Sequence, residues 1–276
     1  MNRIIGSLLA GFLAIPYIAF GGGENFSLGA RSLGLAHASV TLQDEWALFN
    51  NIAGISRLKR VHSLATYVNL YGIPSLNQVG FGVVLPYKSL AWGISFYKFG
   101  NVYYNEIKAG LGCAHRIRNV SLGIKINFHQ ISIEEIGSKK NVVIEFGGIA
   151  EITKHLFFGA HIFNLNQAKI SKEGKEYIPV IMKAGIAYQP FEKLRINIES
   201  EKQIEFKAVF KTGLEYSIIE KIKLRAGISL NPAINYFGAG FRDKNFSIDY
   251  ALNSHRTLGF SHQFSITFIF KNKNGK

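Results

Sequence analysis

Cysteine is almost missing from this chain. The single Cys113 can form no intrachain disulfide, so the fold rests on none. It lies far from the N-terminal segment, which excludes an acylated lipoprotein cysteine, and its parity within LGCAH makes it a small hydrophobe on an apolar face. Long apolar runs are missing too: beyond the N-terminus none approaches the roughly 18 residues of a bilayer-spanning helix. The net charge is +14, yet the Lys and Arg residues come in ones and twos with no dense cluster, so nucleic-acid binding lacks its electrostatic footprint. There is no phosphate-cradling loop, because GGGENF follows an apolar segment and does not join a strand to a helix. His155 and His161 share a strand face but sit about 20 Å apart, too far to share a metal. The other histidines show no ligand spacing. Asp249, His255, Ser261 and His262 come nearest to a hydrolase set, but Ser261 and His262 have opposite parity and do not converge. These absences predict no enzyme, no catalytic or metal-binding residue and no cofactor.

What the chain does have is alternation. In GFSHQFSITFIF, Phe260, His262, Phe264, Ile266, Phe268 and Phe270 share one parity, and small or polar residues fill the other. The composition is 47% hydrophobic with 28 Gly, too apolar for disorder and too glycine-rich for a helical protein. About fourteen strands are expected, at 61–70, 77–87, 89–99, 104–117, 119–133, 141–153, 155–166, 178–190, 193–204, 205–219, 221–230, 234–242, 245–253 and 258–270. Even-numbered connections are tight and odd ones mostly longer, the habit of an outer-membrane barrel with both termini on the short-turn, periplasmic side.

The inward parity would carry Lys108, Lys125, Glu145, Glu151, Lys183, Arg195, Glu199, Lys207, Lys211, Glu215, Lys223, Arg225 and Asp249. So many charges cannot fill a dry core. A soluble β-sandwich would turn them to water, but its strands are about half as long as these. The fold class predicted is therefore all-β: a transmembrane antiparallel β-barrel with apolar residues facing outer-membrane lipid. Tyr71, Tyr87, Tyr103, Tyr104, Tyr177, Tyr188 and Trp92 lie near strand ends, where an aromatic girdle belongs.

Residues 1–23 read as a signal peptide: Arg3, an apolar core, then Ala19-Phe20-Gly21 as a small-x-small site. Pro16 and the short apolar length count against a membrane anchor. Residues 24–58 are irregular, 59–270 form the barrel, and 271–276 are a short tail. Gly80, Gly82, Gly93, Gly110, Gly112, Gly123, Gly147, Gly185, Gly213 and Gly227 fall on the inward parity. Glycine weakens a strand unless something comes close. Either segment 24–58 folds into the lumen as a plug, which is the preferred reading, or these glycines let a small barrel bend.

The segment SLGARSLGLAHASVTLQDEWALFNNIAGIS resembles the mature N-terminus of the PorV/PorQ family of type IX secretion components, within the FadL-like superfamily of outer-membrane barrels. The matching positions are Gly29, Ala30, Arg31, Leu33, Gly34, Asp44, Ala47, Leu48, Phe49, Asn51, Ala53 and Gly54, with Asn50 beside them. Ile52 stands where the family has proline. The resemblance implies fourteen strands, with Gly29, Ala30, Arg31, Asp44, Phe49, Asn50, Asn51, Ala53 and Gly54 shaping the plug. The terminal Phe264, Ile266, Phe268 and Phe270 resemble a barrel-insertion signal, although KNKNGK follows them.

Two functions are implied. PorV-type members partner a type IX translocon barrel or its secreted cargo. FadL-type members pass small hydrophobic molecules through a plugged barrel with a lateral opening. About 15 residues per strand and turn leave little for a loop-built pocket. That favours the non-enzymatic secretion accessory, with the solute channel as the alternative.

Overall fold

A computed structural model describes residues 27–169 and 177–271. The signal segment expected at 1–23 and all of the tail after Lys271 lie outside the described residues. Fourteen antiparallel strands close on themselves, β1 pairing with β14. They are β1 His62–Asn69, β2 Gln78–Tyr87, β3 Leu90–Gly100, β4 Tyr104–Ile117, β5 Val120–Ile133, β6 Gly137–Glu151 and β7 Leu156–Phe163. The second half comprises β8 Ile181–Phe191, β9 Leu194–Gln203, β10 Val209–Ile219, β11 Ile222–Leu230, β12 Ile234–Arg242, β13 Phe246–His255 and β14 Gly259–Ile269.

Period two decides the two faces. Along β5, Leu122, Ile124, Ile126 and Phe128 are exposed, while Ser121, Lys125, Asn127 and His129 are buried. Along β14, Phe264 and Phe268 are exposed between buried Gln263, Ser265 and Thr267, and Ile266 is partly covered. The exposed band is apolar and the interior is charged, the inverse of a soluble protein and the arrangement of a barrel in lipid. Even on the lipid face, polar groups are satisfied: the His262 ring shares a 2.7 Å hydrogen bond with the Tyr250 hydroxyl.

The connections at one end are short: 88–89, 118–119, 152–155, 192–193, 220–221 and 243–245. Both ends of the barrel chain lie there. Three expectations are corrected. Lys207 is not luminal: it sits exposed in the 204–208 connection, where the chain leaves the sheet and parity loses its meaning. β6 starts at Gly137, so the third long connection shrinks to 134–136. Tyr104 and Tyr71 leave the girdle: the Tyr104 hydroxyl donates inward to Glu106 (2.5 Å), and Tyr71 lines a luminal cavity. Tyr87, Tyr103, Tyr177, Tyr188 and Trp92 are exposed.

Residues 28–58 lie inside the barrel. They carry two short helices, α1 (Ala30–Gly34) and α2 (Ala47–Asn50), and a 3-10 turn (Ile52–Arg57). Leu28, Trp46, Leu48, Phe49, Ile52 and Ile55 pack with Leu64, Val68, Val84 and Tyr97 of the wall into one apolar cluster. Each such side chain, fully buried, stabilises by about 1.5–3 kcal/mol. The inward glycines make the space. A Cβ added at any of those expected from the sequence, except Gly110, would come within 3.0 Å of an atom of this segment. Gly110 instead faces Asn127, Lys125 and Ser95. Gly159 and Gly238 do the same work beneath Val40 and Gly34. Close approach, not bending, is what these glycines serve.

Ile126 is 52% exposed on the lipid face of β5. Ile126→Arg should destabilise the barrel by about 2–4 kcal/mol, read by denaturant titration of the protein folded into vesicles. An unchanged midpoint would contradict the assignment of that face to lipid.

Candidate functional site

The internal segment forms a disc that runs round the inside of the wall. Ala30 N–H donates to Ser265 Oγ on β14 (2.9 Å). Further along, Ser39 and Val40 N–H both donate to one Glu199 oxygen on β9 (2.8 Å each), and Asn197 Nδ2 donates to the Ala38 carbonyl (2.9 Å). Arg195 Nη2 donates to the Thr41 carbonyl (2.9 Å). Short helices leave most backbone groups without an internal partner, and inward side chains of the barrel take that role.

The motif residues sit together here. Gly29 has φ +102°, a left-handed angle, with the Trp46 ring where a Cβ would stand. Arg31 grips Glu215 with two bonds (2.8 and 2.7 Å) and Asp44 with a third (2.9 Å). Asp44 also accepts the Ala47 N–H (3.1 Å), opening α2. Phe49 stacks on Trp46, with Lys125 Nζ over its ring at 5.5 Å. Asn50 accepts from Leu28 N–H (2.9 Å) and donates to Leu28 C=O (2.8 Å), joining the start of the disc to its end. Asn51 Nδ2 points at three carbonyls: Val40 (2.6 Å), Gly148 and Ala160 (3.3 Å each). Ala53 N–H donates to Asn51 Oδ1 (3.3 Å), and Gly54 lies under Leu42 and Ala47. Asn51 thus caps the 3-10 turn, and Ile52 packs over Gly112 and Gly123. That local arrangement needs no proline.

Charges in the lumen are ion-paired or, like Arg195 on Asn197 and Thr41, hydrogen-bonded, as burial demands. Arg225 bonds Glu215 and Asp249 (2.7 Å each). Lys211 bonds Glu201 (2.7 Å), and Lys183 lies 3.4 Å from Glu201. Glu145 takes His161 (3.1 Å) and Asn127 (2.6 Å). The quartet of possible hydrolase residues is separated: Asp249 is held by Arg225, Ser261 accepts the Tyr71 N–H, and His262 faces outward. Phe264, Phe268 and Phe270 lie on the lipid face with Ile266 between them.

Glu45 escaped the sequence reading. It is fully buried in the disc and ion-paired to Arg242, with His62 Nδ1 at 3.4 Å. Burial pushes its carboxyl up, but Arg242 and then His62 outweigh this and hold it at about 2. Glu199, Asn197 and Arg195 were legible only as inward polar residues, because their plug partners are remote in sequence.

Two spaces lie on the long-connection side of the disc. A cavity of about 270 Å³ is bounded by Leu33, His37, Gln78, Glu201, Tyr236 and Gln263. A mostly apolar pocket of about 200 Å³ lies between residues 177–180 and 203–205, lined by Gln167, Tyr177, Ile178, Pro179, Val180, Gln203, Ile204 and Glu205. Glu201 of β9 lines the first and Gln203 the second. The expectation that little remains for a loop-built pocket is corrected: the connection between β7 and β8 is long enough to form one with the connection after β9. The wall is continuous, but β6 pairs with β7 only from Phe146 to Glu151. Above that, Asn166 bridges to Ile144 N–H (2.9 Å) and Val142 C=O (2.8 Å) through its side chain.

No protein-family model matches the sequence, and no curated protein matches it. Solved structures do match its fold. The P. putida toluene transporter TodX aligns with a TM-score of 0.68 at 12% identity, covering 90% of this chain and 100% of that one. The CymD monoaromatic hydrocarbon channel aligns at 0.68 and 10%, covering 91% and 100%. A deltaS2 mutant of the TodX monoaromatic hydrocarbon channel aligns at 0.70 and 11%, covering 89% and 99%. At such identity the likeness is one of fold: this chain has the architecture of outer-membrane fourteen-stranded barrels.

Asn51→Leu removes an amide whose two hydrogens are shared among three carbonyls, chiefly that of Val40, and a buried carbonyl left bare costs about 1–3 kcal/mol. The disc should loosen while the barrel stays folded, seen as higher conductance in planar bilayers with an unchanged heat-modifiable gel band. Glu45 makes a second prediction. Its folded value lies below the ordinary 4.5, so its contribution is complete above pH 4.5 and disappears as pH falls toward about 2. Conductance should rise across that window, and Glu45→Gln should raise the conductance at neutral pH and so reduce the size of the rise.

Proposed function

We propose that this protein is a non-enzymatic outer-membrane channel for passive uptake of small hydrophobic solutes, with residues 28–58 as its gate. The apolar pocket at the mouth carries this reading. It is smaller than the pockets of drug-sized ligands, which suits a compact solute. It shares β9 with the luminal cavity, through Gln203 and Glu201, and it lies beside the stretch where β6 and β7 are joined by Asn166 and Leu165 rather than by a strand ladder. That seam is the natural place for a lateral exit. Fold likeness to the toluene transporter and the monoaromatic hydrocarbon channel agrees with this reading.

The reading as a PorV/PorQ-like accessory of type IX secretion rests on the N-terminal motif. Apart from Arg31, those motif residues are buried in the disc, and Arg31 is tied to Glu215 and Asp44. Residues so enclosed support a shared plug architecture and offer nothing for a translocon barrel or cargo to grip. Recovery of a large barrel in pull-downs from gently solubilised membranes would reverse this preference.

Val180→Asp places a charge in the pocket without touching the disc. Toluene uptake into proteoliposomes should fall by roughly tenfold, the effect of about 1.4 kcal/mol, with ion conductance unchanged. Undiminished uptake would remove the pocket from the route.

A further inference from the structure

The net charge of +14 has no outlet in the lumen. Among the described residues, the fully buried charged side chains comprise five bases and seven acids, histidines aside, and the partly buried Arg31, Arg57, Arg195 and Lys223 against Glu151 and Glu201 bring the disc and inner wall to nine of each. The excess base therefore lies outside the disc and the inner wall. Its distribution is uneven. Every connection at the short-turn end carries a base: Lys88, Arg118, Lys154, Lys193, Lys221 and Lys244, all exposed. The acids in the same connections are Glu192, Glu220 and Asp243, and Asp243 is taken by Lys221 at 2.7 Å. Lys59, Arg60 and Lys271 add to this rim from the ends of the barrel chain. The described connections at the other end balance, with Lys169, Lys207 and Arg256 against Glu134, Glu135 and Glu205, and the exposed Lys98, Lys139 and Lys140 add three bases near that end from β3 and β6, fewer than the rim carries.

Turn chemistry does not explain the ring. Lys88 and Arg118 have φ of +54° and +53°, a left-handed region that glycine and asparagine occupy with less strain. Internal pairing does not explain it either. Among the described residues no carboxylate lies within 4.0 Å of Lys88, Arg118, Lys154, Lys193 or Lys244. Height is informative. One to three residues before each base stands an exposed apolar residue: Tyr87, Ile117, Ile152, Phe191, Ile219 or Phe241. The Lys88 ammonium sits 5.3 Å above the Tyr87 ring. A ring of cations one to three residues beyond the apolar band lies at the level of phospholipid phosphates.

From this we infer that the short-turn rim is a binding surface for anionic phospholipid headgroups, holding such lipids in preference to zwitterionic ones around the whole perimeter. This goes beyond the channel reading and stands whether or not a solute passes.

The test uses the full chain folded into phosphatidylcholine vesicles with trace spin-labelled phosphatidylglycerol or spin-labelled phosphatidylcholine. The wild type should immobilise the phosphatidylglycerol label roughly fivefold more strongly. Raising salt to about 1 M, where screening acts within about 3 Å, should bring the two labels together. A rim variant (Lys88→Gln, Arg118→Gln, Lys154→Gln, Lys193→Gln and Lys244→Gln) should lose the preference. A far-end variant (Lys139→Gln, Lys140→Gln and Arg256→Gln) should keep it. Equal immobilisation of the two lipids by the wild type would overturn the proposal and leave the ring to an acidic periplasmic partner. So would a preference that ignores salt, survives the rim variant or disappears in the far-end one. The salt titration needs only the wild type, so a failure of the rim variant to insert leaves the proposal testable.

Discussion

The inner wall of this barrel touches a folded backbone at van der Waals distance, and much else follows from that contact. A side chain at Gly123, Gly213 or Gly227 would occupy the place of Ala53, Leu35 or Ala36. Because the glycines recur from strand to strand at the height of the disc, the disc can lie flat and its amides can reach the wall. Glu199 takes two of them, and Ser265 a third. A barrel with larger inward residues would hold water here, and its ion pairs would be weaker for it.

Those ion pairs have a second effect. Arg31, Glu215, Arg225 and Asp249 run as one chain from the disc to β10, β11 and β13. Removing one member strands the others in a buried site, a cost of about 3–5 kcal/mol. The network is weak evidence for stability and good evidence for register, because each charge accepts only one arrangement of its neighbours. It holds α1 against a particular stretch of wall.

Much of the fold was legible in sequence, because lipid outside and charge inside leave a period-two trace wherever the chain stays in the sheet. Leu122 through Phe128 is such a trace, and the strand number followed from repeating it. The trace fails where chain and sheet part. Lys207 kept an inward parity while lying in a connection, and Tyr104 turned inward at a strand's end. The disc has no period to read. Its helices are four and five residues long, and its partners lie up to 235 residues away. The motif marked which residues were special. It could not say that Asn50 closes the disc on itself, or that Glu45 is its most deeply placed acid. The mouth pocket was hidden for a related reason: it forms where two successive long connections meet across the β8–β9 hairpin, and neither has a period to read.

The bond from Ala30 to Ser265 joins the first part of the described chain to the last strand made. A disc that touches the wall on nearly every side cannot be slipped into a finished cylinder, since the same contacts that hold it would bar its entry. In the closed barrel the disc is a mandrel: β1 leaves from its edge, and β14 pairs with β1 and meets the disc at Ser265. Wall and disc are therefore one packed object, and neither keeps its contacts without the other.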